Sequence, residues 1–203
     1  MIVAYFGRLD NGELMEKKIL DTALALIKPY EGCHLKAYKC PAGIWTIGWG
    51  QTGKDIKEGT VWTQEQADAA LEKSVAKFTE GVLKLVKVRL RPEQIGALVS
   101  FAYNVGLGNL EKSTLLRLVN AKTDTEDIVK QFLVWNKAGG KTLMGLLYRR
   151  ASEALMFKSE TFKRFNSLKE MEADFAIEHE LLPPKPVTPS KPKVAKTPTP
   201  KKK

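Results

Sequence analysis

The chain has 203 residues, a formal net charge of +10, 43% hydrophobic residues and 8% aromatic residues. That is enough apolar material for a packed core of ordinary domain size, which excludes a wholly disordered protein. The charge does not describe the whole molecule: residues 183–203 hold seven lysines and no acid, so about +3 remains for the other 182 residues and a dedicated nucleic-acid binder is disfavoured.

Two cysteines, Cys33 and Cys40, are too few for a secreted disulfide framework. Neither has a second Cys or a His pair at zinc-ligand spacing, so no structural metal is expected. Residues 2–6 are apolar, but Arg8, Asp10, Glu13 and Glu16 follow quickly. That run is too short for a signal-peptide core or a membrane span, so the chain is expected to be made and first kept in a reducing cytoplasm.

In chain order, residues 1–18 are read as an N-terminal extension. Ile19, Leu20, Ala23, Leu24, Leu26 and Ile27 recur at helical spacing up to Lys28 and Pro29. Glu31 then falls at the junction with two β-prone segments, Leu35 to Lys39 and Ile44 to Trp49, which predict a hairpin turning at Pro41, Ala42 and Gly43. The stretch 53–59 reads as loop or a third short strand. Thr63 and Gln66 predict a capping box for a helix running toward Val86, and Pro92 suits the first turn of the next helix. That helix stops near Gly106 and Gly108. Ser113 to Ala121 reads as a short helix. Thr123 and Glu126 predict a second capping box, opening a helix to about Trp135. Gly139 and Gly140 break the chain before a last core helix from Thr142 to about Phe157. Residues 158–182 look like an additional, more charged helical segment. Residues 183–203 hold seven of the ten prolines and read as a disordered basic tail. The class is α+β: a small hairpin lobe feeding a helical bundle.

The chemistry is concentrated between Glu31 and Gly50. An acid, a thiol and a hydroxyl (Glu31, Cys40 and Thr46) stand nine and then six residues apart around the mouth of the hairpin. A carboxyl between a helix end and aromatic strands is a place for partial desolvation, which favours the protonated form that a general acid needs. On residue type alone Cys40 reads as a titratable thiol or as a small apolar filler of the hairpin. Cys33, seven residues before Cys40, raises the further expectation of a redox-sensitive disulfide under oxidising conditions.

The pattern E-G-x-x-L-x-A-Y-x-C-x-x-G-x-x-T-I-G-W-G, from Glu31 to Gly50, resembles the phage-type lysozymes, the endolysins of glycoside hydrolase family 24. Residues 100–116 and 135–154 also look like segments of that family, and the similarity covers about residues 19–157. The resemblance implies a lysozyme-like catalytic domain over 19–157, with Glu31, Cys40 and Thr46 as its catalytic triad: Glu31 as the acid, and Cys40 as thiolate base, nucleophile or polar neighbour of a water that Thr46 orients. It implies a muramidase that cleaves the β-1,4 bond between N-acetylmuramic acid and N-acetylglucosamine in peptidoglycan, lysing the host. Neither a cofactor nor a metal is implied. It also implies release from the host cytoplasm to the wall through a holin-type membrane lesion.

Asn104, Trp135, Arg149 and Arg150 are candidates to line or brace the glycan groove, weighed against roles in the core and in ion pairs. Two rival functions stand beside the muramidase. A lytic transglycosylase needs only one acid, and position 40 holds no carboxylate. A non-catalytic wall-binding module would make the basic tail the working part. That tail is either a solubilising appendage or an electrostatic contact for anionic wall or envelope polymers. It lacks the interleaved aromatics of a specific nucleic-acid binder. The expected state is a monomer with no transmembrane segment.

Overall fold

The structure is a computed structural model that describes residues 9–40 and 42–175. Pro41 and the basic tail therefore lie outside the described residues. Helix α1 (Leu9–Ile27) leads into a small antiparallel sheet, β1 (His34–Lys39), β2 (Trp45–Gly48) and β3 (Gln51–Thr52), in the order β1-β2-β3. The bundle follows with α2 (Gln64–Leu85), α3 (Pro92–Val105), α4 (Leu107–Lys112), α5 (Thr114–Ala121) and α6 (Thr125–Leu133). A second hairpin, β4 (Lys137–Ala138) and β5 (Lys141–Thr142), precedes α7 (Met144–Ser159) and the short α8 (Leu168–Glu172).

Helix α3 is the axis of the bundle. Every residue from Ile95 to Ala102 except one is apolar, and all eight are buried, because α1, α2 and α7 pack around it. Against α1 the two backbones come close at Gly96. A Cβ built there would sit 2.6 Å from Thr22 Cγ2 and 3.2 Å from the Ile19 carbonyl oxygen. Toward the C-terminal end of α6, Phe101 meets Phe132 and Trp135 edge-on, with ring centroids 5.7 and 5.4 Å apart.

Several predicted boundaries move, each for a local reason. Among the described residues α1 runs continuously from Leu9, so the predicted helix over Ile19–Ile27 continues through residues 9–18. The third strand is Gln51–Thr52, and residues 53–59 form turns and irregular loop. The Thr63–Gln66 capping box is present as predicted. The Thr123–Glu126 box is not: Asp124 is the N-cap of α6, its carboxylate accepting from Glu126 N at 2.8 Å. A carboxylate one residue nearer the helix competes better for the free N–H groups. Gly139 and Gly140, with φ of +56° and +75°, form the tight turn of β4–β5 rather than a simple break. Beyond α7 residues 161–166 have no regular secondary structure, and within the described part of 158–182 only Leu168–Glu172 forms a further helix. That segment is still part of the core: Phe165, Met171 and Phe175 are buried.

Candidate active site

Pro29 has no N–H to continue α1, so the chain leaves the helix there. Tyr30 and Glu31 keep hold of it through their N–H groups, which donate to the Ile27 carbonyl at 3.0 and 3.1 Å. Tyr30 then points one way and Glu31 the other. The Tyr30 hydroxyl lies 2.6 Å from Ser152 Oγ and 3.1 Å from the Tyr148 carbonyl, and Ser152 in turn donates to the Lys163 carbonyl at 2.5 Å. Glu31 faces a cleft of about 470 Å3 between the sheet and the bundle. Trp49, Gly50, Gln51 and Thr52 supply its sheet side, Ser74 and Phe78 come from α2, and Tyr103 and Asn104 from α3.

Glu31 is 26% exposed, and Arg149, reaching it from α7, is 3% exposed. Arg149 Nη1 donates to Glu31 Oε1 at 2.6 Å, while Nη2 donates to the Ser100 carbonyl at 3.4 Å. The partner of the acid is thus a buried guanidinium rather than the apolar wall expected from the aromatic strands. Behind Arg149 lies a closed ionic cluster. Glu153 accepts from Arg149 Nε at 3.3 Å, from Arg150 Nη2 at 2.9 Å and from Ser100 Oγ at 2.8 Å. Glu153 and Arg150 are both fully buried. A further 2.8 Å contact joins Arg150 Nε to Glu153 Oε2, but it is an ionic approach without hydrogen-bond alignment. The Arg150 guanidinium also lies over the Phe101 ring, 4.9 Å from its centre.

Two further contacts fix the cleft walls. Tyr103 donates to the Trp49 carbonyl at 3.1 Å. Burial, with the negative charge of Glu31 adding to it, pushes the Tyr103 phenol up to about 12, so it remains a donor at ordinary pH. The Trp49 indole N–H donates to Asp68 at 2.8 Å, and Lys28 Nζ reaches the same carboxylate oxygen at 3.1 Å. Burial acts to raise Asp68, but the bonds from Lys28, Trp49 and Gln64 outweigh it and hold the carboxyl below its ordinary value. Gly48 makes the tight turn between β2 and β3 possible. Its φ is +63°, and a Cβ would lie 2.5 Å from Gln51 Oε1 and 3.1 Å from the Trp62 ring.

Cys40 and Thr46 meet at the turn end of the first hairpin. Cys40 N donates to the Ile44 carbonyl at 3.0 Å, and Thr46 pairs with Tyr38 across the strands. Backbone N–H groups of Ile44 and Ala42, with help from the Thr46 hydroxyl, lower the Cys40 thiol from its ordinary value. The Thr46 hydroxyl has one hydrogen and two acceptors, the thiol and the Ile44 carbonyl at 3.1 Å. Neither Cys40 nor Thr46 lines the Glu31 cleft directly, but Thr52, the cross-strand partner of Thr46, does. Both cysteines are free, and the Cys33 sulfur rests 3.8 Å from the Gln64 amide on α2.

The family model for phage lysozyme matches residues 28–153, more than half of the chain. The chain belongs to the phage lysozyme family. It is 44% identical to the endolysin of Bacillus phage B103 over 68% of its own length and 53% of that protein's. It is 41% identical to the endolysin of Acyrthosiphon pisum secondary endosymbiont phage 1, over 70% of this chain and 98% of that one. Among solved structures, the endolysin of Escherichia coli O157:H7 phage FAHEc1 superposes with a TM-score of 0.63 at 35% identity, covering 72% of this chain and 94% of the other. The chain spans about half the length of the Bacillus phage relative. As a phage lysozyme it has the lysozyme-like α+β architecture expected from the motif.

Of the four groove candidates, Asn104 lines the cleft and Arg149 braces Glu31, whereas Trp135 packs on Phe101 and Arg150 is sealed in the core. Tyr103 and Glu153 were not legible as site residues. The signal for Glu153 was its i,i+4 spacing from Arg149 on one helix face. No group of three or more metal-binding side chains, and no helix long and apolar enough to cross a membrane, occurs among the described residues.

Proposed function

We propose that this phage lysozyme is an endolysin that hydrolyses the β-1,4 bond between N-acetylmuramic acid and N-acetylglucosamine in peptidoglycan, with Glu31 as the general acid. The observation that carries this reading is the Glu31 carboxyl, held through Oε1 by Arg149 at 2.6 Å on the edge of an open cleft. One oxygen is fixed by the guanidinium and the other is left to carry the proton to the leaving glycosidic oxygen. Water attacks the sugar carbon from the opposite face as that bond breaks, and its proton passes to a base on the hairpin side. Cys40 serves as that base, its thiol lowered by the hairpin's own N–H groups, and Thr46 orients the water. The aromatic surfaces of Trp49, Phe78 and Tyr103 suit the apolar faces of sugar rings. In this reading the enzyme reaches the wall through a holin-type lesion and acts as a monomer, and the basic tail adds electrostatic attraction to anionic envelope polymers.

The test is mass spectrometry of purified peptidoglycan after digestion, with Glu31→Gln in parallel. Hydrated fragments ending in reducing N-acetylmuramic acid are expected, with the variant slower by about 10²–10⁴-fold. Anhydro-sugar products would make the protein a lytic transglycosylase. Equal rates from both proteins would remove Glu31 from its role.

A further inference from the structure

We infer that Glu153 is a positioning residue for Glu31, acting through Arg149 to keep the acid protonatable. The inference rests on Glu31 being the general acid. The geometry is a relay of three groups: Glu31 to Arg149 Nη1 at 2.6 Å, then Arg149 Nε to Glu153 Oε1 at 3.3 Å, with Arg150 Nη2 on the same oxygen at 2.9 Å. All members behind Glu31 are buried, so water cannot screen their charges well.

Counting charge shows what Glu153 does. Two guanidiniums face two carboxylates when Glu31 is ionised, and the cluster is neutral. When Glu31 takes up the proton needed for catalysis, one positive charge remains. Without the carboxylate of Glu153, two would remain, and protonating Glu31 would leave both guanidiniums unpaired in a buried site. Glu153 therefore limits the pull of Arg149 on the acid while keeping the guanidinium aimed at it.

The other groups facing the relay do not take over this task. From α3, Tyr103 feels the charge of Glu31 but stays neutral, because its phenol lies near 12, and Ser100 contributes only a hydroxyl and a carbonyl. Burial raises the Tyr30 phenol, with Glu153 adding a smaller push in the same direction, so it too stays neutral. Burial draws Arg150 below its ordinary value, Glu153 opposes this, and a guanidinium stays charged regardless. Among the described residues Arg150 Nη1 has no protein hydrogen-bond partner, so Glu153 is its main electrostatic support.

The test is the pH profile of kcat/KM on peptidoglycan for Glu153→Gln, which preserves shape and removes charge. The alkaline limb, where the general acid loses its proton, should move toward acid by about one pH unit, using an effective interior dielectric near 20. Activity on the alkaline limb should fall about tenfold as a result. The double variant Glu153→Gln/Arg150→Met removes one positive charge as well, and its limb should return to within a few tenths of a unit of the parent, roughly. A folded Glu153→Gln whose limb does not move, or a folded double variant whose limb stays displaced, would overturn the proposal. Failure of both to fold, by circular dichroism, would also overturn it and assign Glu153 to the scaffold. Glu31→Gln separates the two readings: if it is as active as the parent, the function proposal has failed. If it is inactive while Glu153→Gln keeps the parent's profile, only this inference has.

Discussion

The same substitution, Gly to Ala, should have opposite signs in two helices of this protein. In α7, a Cβ built on Gly145 meets nothing within 4 Å, so Gly145→Ala should gain about 0.4–1 kcal/mol by restricting the unfolded chain. In α3, the Cβ of Gly96→Ala would lie 2.6 and 2.7 Å from Thr22 Cγ2 and Cβ, and 3.2 Å from a backbone oxygen. Thr22 is β-branched and stiff within α1, and the oxygen moves only with its helix, so neither can yield cheaply. A methyl forced into such a contact costs about 2–3 kcal/mol, against a helix-propensity gain of about 1 kcal/mol. The net loss is about 1–2 kcal/mol, which for a domain of this size lowers Tm by roughly 2–8 °C. Thermal melts followed by circular dichroism, with urea midpoints as a second measure, would show the two variants moving apart. Gly96→Ala melting at or above the parent would refute the claim that α1 and α3 meet backbone to backbone.

Two further outcomes are expected. Alkylation of Cys40 by iodoacetamide proceeds through the thiolate, so its rate should rise at a lower pH than for an ordinary thiol near 9.0, because the folded hairpin lowers that value. Thr46→Val removes one donor and should move the curve back toward alkaline pH; peptide mass spectrometry distinguishes Cys40 from Cys33, and an unmoved curve would rule Thr46 out as a partner. Ser113→Ala should lower stability by about 1 kcal/mol in urea unfolding, since its hydroxyl accepts from Leu116 N at 3.0 Å as the N-cap of α5.

What could be read from the sequence was set by short range. The hairpin from Glu31 to Gly50, the Thr63–Gln66 cap and the Pro92 helix start are each fixed by residues a few positions apart. Asp124 was missed because Thr123 and Asp124 are both competent caps and only backbone geometry separates them. The helical run over residues 9–18 is not legible because Asp10, Asn11 and Gly12 interrupt the apolar period, and α1 gains its stability by packing on α3. The brace behind Glu31 was hardest to see. Arg149 lies 118 positions from the acid it holds, and Arg149 and Arg150 look alike in sequence although one faces the cleft and the other the core.

The brace between Tyr30, Ser152 and the Lys163 carbonyl bears on where such a gene can be cut and rejoined. Exchange at the edges of the family match, residues 28 and 153, would detach α1 from α3 and divide α7 within its buried stretch. It would also discard Phe165, Met171 and Phe175, and with them the backbone that steadies the residue next to Glu31. A crossover after Phe175 cuts none of these ties. Recombination between phage lysozyme genes should therefore be tolerated on the tail side of Phe175 and selected against throughout the twenty or so residues before it.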